Sequence, residues 1–163
     1  MHNDLDDIDL RILRILQADA RITSSDLAQQ VHLSQSPCWK RVKRLEKMGL
    51  VSGYHAGLNR RALGWGMMAF VMVEIEKQDD SSSSAFIQAV QAMEEVVMFH
   101  GIAGPQDFML VVVARDLDDY GQLLQRKLHR LPGVRRVSSF LSLEEFKGQL
   151  HHMPIPAAAA APH

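Results

Sequence analysis

Only one cysteine, Cys38, occurs in the 163 residues, so an internal disulfide framework is excluded and a reducing, cytoplasmic setting fits. Long hydrophobic runs are equally scarce. The longest, Gly64 to Val73, is too short to span a bilayer as a helix, and residues 1 to 15 are acidic where a secretory signal would be basic. Catalytic and metal-binding constellations are missing too. His100 and the His151-His152 pair have no Cys or carboxylate at ligand spacing, and no nucleophile with a base or pair of acids is legible, so an enzyme is disfavoured and no cofactor is expected. Gly101-Ile102-Ala103-Gly104 lacks the strand-to-helix context of a phosphate loop, and Met67, Met68 and Met72 read as strand core.

Net charge is also nearly absent, at -1, but the balance conceals a division. Up to Gly66 there are 10 Lys/Arg against 7 Asp/Glu, and beyond it 8 against 12, so a basic module precedes an acidic one. Within the basic part, Asp4, Asp6, Asp7 and Asp9 gather at the start of the first predicted helix, residues 5 to 17, where they suit its dipole. The cations are left downstream. That first helix has a broad apolar stripe, with Ile8, Ile12, Ile15 and Leu16 flanked by Leu5, Leu10 and Leu13, which predicts contact on more than one side.

From Ile22 to Gly49 the pattern is two short helices joined by a tight turn. Thr23 or Ser24 can cap the first, whose apolar stripe is Leu27, Ala28 and Val31. Ser36 followed by Pro37 is expected to start the second, with Cys38, Val42 and Leu45 facing a core and Gly49 ending it. Its other side is loaded with charge: Lys40, Lys43 and Lys47, with Arg41 and Arg44 on the flanks. A basic helix standing alone is commonly just a solvated face. Here only Glu46 is available as an acid on the same helix, and an amphipathic helix stands directly before the turn. The expectation is therefore a DNA-reading helix-turn-helix in which Lys40, Arg41, Lys43, Arg44 and Lys47 neutralise phosphates and Ser34, Gln35, Ser36 and Lys40 reach base edges of double-stranded DNA.

The stretch LSQSPCWKRVKRLEKMGLVSGYHAGLN resembles the recognition helix and following strand of the Lrp/AsnC, or feast/famine, family of transcriptional regulators. Ser34, Pro37, Cys38, Arg41, Val42, Leu45, Glu46 and Gly49 carry the match. His32 stands where relatives commonly have Gly in the turn, and histidine is among the side chains that tolerate a left-handed conformation. The resemblance extends from Leu5 to about Leu150, with Gly104, Asp107-Phe108, Leu131-Pro132-Gly133-Val134, Glu144-Glu145 and Lys147 as later landmarks.

After Gly49, residues 50 to 56 are predicted as an extended linker strand, 59 to 63 as one helical turn, and Gly64-Trp65-Gly66 as a hinge. Strand and helix signals then alternate: a strand over 67–76, a polar loop over 79–84, a helix over 86–94, strands over 96–101 and 108–114, a helix capped by Asp116, and a last strand over 134–146. That order is βαββαβ, a ferredoxin-like unit. The fold class expected is thus α+β, with a winged-helix-like helix-turn-helix domain over 1–63, a ferredoxin-like domain over 64–150 and a disordered Ala-rich tail over 151–163.

The resemblance implies that the second domain binds an amino-acid effector and oligomerises, as a dimer that can assemble further, even to an octamer. A free amino acid needs an anion or carbonyls for its ammonium and N–H or hydroxyl donors for its carboxylate. Asp107 is the expected ammonium partner, Gly104 the point of close backbone approach, and Phe108, Ser138 and Ser139 the other candidates. Many relatives carry Gly-Asp-x-Asp-Tyr at this turn. Gly104-Pro105-Gln106-Asp107-Phe108 loses a carboxylate, an N–H and a phenol hydroxyl, and an ordinary hairpin turn in which Asp107 satisfies local backbone is the competing reading. Two functions stay open: a sequence-specific regulator tuned by a small effector, and an effector-independent architectural DNA binder.

Overall fold

The computed structural model describes residues 5–76 and 80–148; the tail expected over 151–163 lies outside them. Two compact units divide between Gly57 and Leu58, upstream of the boundary read from the sequence.

The first unit is three helices, α1 (Asp7–Ala18), α2 (Ser24–Gln30) and α3 (Gln35–Lys47). Each has a local reason to begin and end. Asp6 and Asp9 form a reciprocal capping box on α1, each carboxylate accepting the other's backbone N–H. The Thr23 hydroxyl accepts the N–H of Asp26 to cap α2. α2 and α3 end alike: His32 donates to the Gln29 carbonyl and Leu33 to Ala28, while Gly49 donates to Glu46 and Leu50 to Leu45. Both are Schellman closures, which need a left-handed residue. His32 has φ 57° and Gly49 φ 73°. The helix-turn-helix turn therefore survives without its glycine, through the tolerance expected of histidine. Ile12, Leu27, Ala28, Val31, Cys38, Val42 and Leu45 close the core.

Two expectations change here. α3 starts at Gln35 with Ser34 as N-cap, two residues before the expected start, so Pro37 is the third helical residue and its missing N–H is still one that no intrahelical carbonyl would bond. Residues 50 to 56 form no strand, since no described strand lies beside them to supply ladder partners.

The second unit contains β1 (Met67–Ile75), α4 (Asp80–Gln91), β2 (Val96–Gly101), β3 (Phe108–Ala114), α5 (Leu117–Arg126) and β4 (Val134–Leu141). The strands make one antiparallel sheet of order β2-β3-β1-β4, as a ferredoxin-like βαββαβ chain requires. α4 begins at Asp80, inside the expected polar loop, because serine and aspartate suit a first helical turn. β4 stops at Leu141 and not at Phe146: it pairs with Ala69 near the start of β1, and the ladder runs out one bond later, at Ser142 N–H to the Met68 carbonyl. Leu143 and Phe146 are consequently exposed.

Alternation divides the sheet into two faces. Ala69, Val71, Val73, Leu110 and Val112 are buried with Phe86, Val90, Tyr120, Leu123 and Leu128 from the helical segments. Phe86, Phe99 and Phe108 form an aromatic cluster in that core, with Phe86 and Phe108 centroids 4.8 Å apart. The opposite face carries Met68, Phe70, Met72, Met109, Val111, Val113 and Phe140, and no described helix covers it. Gly66, in the segment expected as a hinge, also has a packing reason to be glycine. A Cβ there would stand 2.7 Å from the Arg115 carbonyl oxygen, so glycine permits a close backbone approach at the end of the central β1–β3 pair.

Candidate nucleic-acid interface and effector concavity

α3 has a buried stripe of Cys38, Val42 and Leu45. At 3.6 residues per turn, Ser36, Lys40 and Lys47 fall within about 40° of one another on the opposite side, with Lys43 beside them. All four are exposed, as are Ser34 and Gln35 at the helix start. Among the described residues, none pairs with Lys40 or Lys47. Lys43 is held on its own helix, 2.7 Å from Glu46 and 4.6 Å above the Trp39 ring. Glu46 also accepts the Tyr54 hydroxyl at 3.0 Å. Lys43 and Tyr54 together keep the Glu46 carboxyl below its ordinary range. Burial pushes the Cys38 thiol up, with only partial opposition from Arg41, so it behaves as a packed protonated side chain.

Arg41 and Arg44, placed by the sequence reading among the phosphate contacts, turn toward α1. Arg41 Nη1 lies 2.6 Å from Asp6 and 2.9 Å from Asp9, and Arg44 donates to the other oxygen of Asp9. Asp9 is fully buried, at 0% exposure. Its carboxylate also accepts the Asp6 N–H, so a charge taken out of water is met by two guanidiniums and a backbone donor. Burial would raise the Asp6 carboxyl, but the Asp9 N–H and Arg41 outweigh it and leave it lowered. No acid on α3 could have announced this arrangement. The signal was the four early aspartates, accounted for by the helix dipole alone.

In the second unit, an open polar concavity of about 530 Å³ is lined by Glu74, Ile75, Glu76, Gly104, Pro105, Asp107 and Arg135. Gly104 and Asp107 thus come together as expected. Asp107 is however already engaged, its carboxylate accepting the Ile75 N–H at 3.0 Å while its own N–H donates to the Val73 carbonyl. Arg135 was missed. The β1–β4 register slips between Glu74, opposite Arg136, and Ile75, opposite Val134, leaving Arg135 as the extra residue of a bulge. Only pairing across strands reveals that displacement.

The other effector candidates lie apart. The Phe108 ring is in the aromatic core. Ser139 accepts the Tyr120 hydroxyl at 2.5 Å on the helix-covered side, while Ser138, opposite Met72, faces the other way. A hydroxyl pair read as one feature is split by the strand's period of two.

A helix-turn-helix unit with a lysine face, followed by a ligand-binding α+β unit, defines an effector-responsive DNA-binding transcriptional regulator. Residues 5–52 match the winged helix-turn-helix DNA-binding model, and residues 68–150 match the Lrp/AsnC ligand binding domain. The leucine-responsive regulatory proteins of Escherichia coli K12 and Haemophilus influenzae are each 38% identical to it, over 144 and 143 residues. Those alignments span 88% of this chain in both cases, and 88% and 86% of the respective relatives. Among solved structures, a Neisseria meningitidis transcriptional regulator in complex with L-Met superposes with TM-score 0.87 at 32% identity, covering 91% of this chain and 96% of that one. An AsnC family regulator from Agrobacterium tumefaciens gives 0.86 at 31% identity, covering 92% and 97%. The chain belongs to the Lrp/AsnC family of transcriptional regulators.

Proposed function

We propose that this protein is a cytoplasmic, non-enzymatic regulator that reads double-stranded DNA through Ser34, Gln35, Ser36, Lys40, Lys43 and Lys47 and responds to an amino acid. The observation that carries the DNA contacts is the cluster of exposed lysines diametrically opposite the buried stripe of α3. In the ligand-binding unit, Arg135 supplies a fork for a carboxylate, and Glu74 and Glu76 stand where an ammonium would be met. The uncovered apolar sheet face, from Met68 and Phe70 to Phe140, supports assembly as a homodimer, with higher oligomers built from it.

A duplex pool of random sequence, selected by the full chain, tests the first half: enrichment of one site is expected, and no enrichment refutes it. Thermal shift with each free amino acid tests the second, because a ligand bound only by the native state raises the midpoint. Two observations favour the architectural alternative. Asp107 is spent on Ile75, and Pro105 removes a donor from the turn. Absence of a shift with every amino acid would select that reading.

A further inference from the structure

We infer that Asp9 is the positioning residue of the DNA-reading helix, and that Arg41 and Arg44 act through it and not on phosphate. This rests on the DNA-binding reading above. The capping box places two carboxylates at the head of α1, Asp9 with no exposure and Asp6 beside it. Each Asp9 oxygen is taken by a different arginine, Oδ1 by Arg41 and Oδ2 by Arg44, one turn of α3 apart. Two guanidiniums gripped at successive turns fix both the rotation and the axial position of α3 against α1. Each guanidinium is already neutralised by a buried anion, so a phosphate would meet only its remaining N–H groups and little net charge, and pulling it away would leave that anion uncompensated. Phosphate neutralisation then falls to the exposed Lys40, Lys43 and Lys47, of which only Lys43 has partners among the described residues, Glu46 and the Trp39 ring.

The experiment measures affinity of the full chain for its selected site and for a mixed-sequence duplex across a salt series. Lys40→Ala and Lys47→Ala should each flatten the log-log salt slope by about 0.9 for every protomer on the duplex. Arg41→Gln and Arg44→Gln should leave the slope as in the parent while lowering the ratio of site to mixed-sequence affinity, by about tenfold as for one misread base pair. Asp9→Asn should do the same, at a temperature where circular dichroism shows it folded. A purely stabilising ion pair would leave that ratio unchanged in the folded variants, and this result overturns the inference. So does a slope flattened by Arg44→Gln as much as by Lys40→Ala. If Asp9→Asn does not fold, the two arginine variants decide. Failure of the parent to select any site is a different outcome, striking the DNA reading itself.

Discussion

Removing either side of the Asp9 cluster breaks the same contacts, yet the two removals should differ in cost. Asp9 is at 0% exposure, whereas the Arg41 and Arg44 side chains retain 29% and 42%. In Asp9→Asn the guanidiniums swing into water, Arg41 keeps Asp6, and the new amide oxygen still accepts the Asp6 N–H. The loss is that of charge-assisted hydrogen bonds to guanidiniums already partly in water, a screened contribution of about 1–2 kcal/mol. In Arg41→Gln/Arg44→Gln the carboxylate stays buried without a countercharge, a situation that costs about 3–5 kcal/mol. Urea unfolding followed by Trp39 fluorescence on α3, in a Trp65→Phe background, isolates the DNA-binding unit. With a slope of about 2 kcal/mol per molar, the midpoint should fall by roughly 0.5–1 M for the aspartate variant and roughly 1.5–2.5 M for the double arginine variant. An aspartate variant as unstable as the double one, or more so, would refute the reasoning, because the cost would then reside in the arginines' packing and not in the stranded charge.

Gly121 lies inside α5 with nothing within 4 Å of where a Cβ would be, so Gly121→Ala should stabilise the second unit by about 0.5–1 kcal/mol; a lowered melting temperature would contradict this. His32→Gly relieves a left-handed residue at φ 57° and should add up to about 1 kcal/mol to the first unit, less what glycine gains in the unfolded chain; calorimetry that finds the variant less stable refutes it. Asp119 is held down to about 2 from 3.8, first by the Arg115 side-chain hydrogen bond and then by the Arg115 N–H. A lowered carboxylate stabilises the fold fully above 3.8 and loses that contribution as pH falls through 2. The carboxyl carbon shift of Asp119 should therefore titrate near 2, and Arg115→Gln should move its midpoint toward 3.8; an unmoved midpoint would deny the pairing its role.

Much of the fold is written in local patterns. Thr23 as cap, Cys38, Val42 and Leu45 as one stripe, Asp116 as cap, and the strands over 96–101 and 108–114 depend on residues a few positions apart, and all stand where the sequence places them. What escaped depends on partners distant in the chain. The end of β4 is set by where β1 begins, and the direction of Arg135 by a slipped register. Ser138 and Ser139 were legible as hydroxyls, but their separation follows from which face of the sheet Tyr120 covers.

Composition and periodicity by themselves determined that a basic helical module precedes an acidic βαββαβ module, because turns, caps and alternation are short-range properties of the chain. Tertiary structure alone decided which charges meet a buried partner. Asp9 and Arg44 are 35 residues apart in sequence, and only packing α1 against α3 removes that carboxylate from water and turns two of five neighbouring cations inward to meet it. Burial makes an ion pair obligatory, and burial is a property of the assembled core.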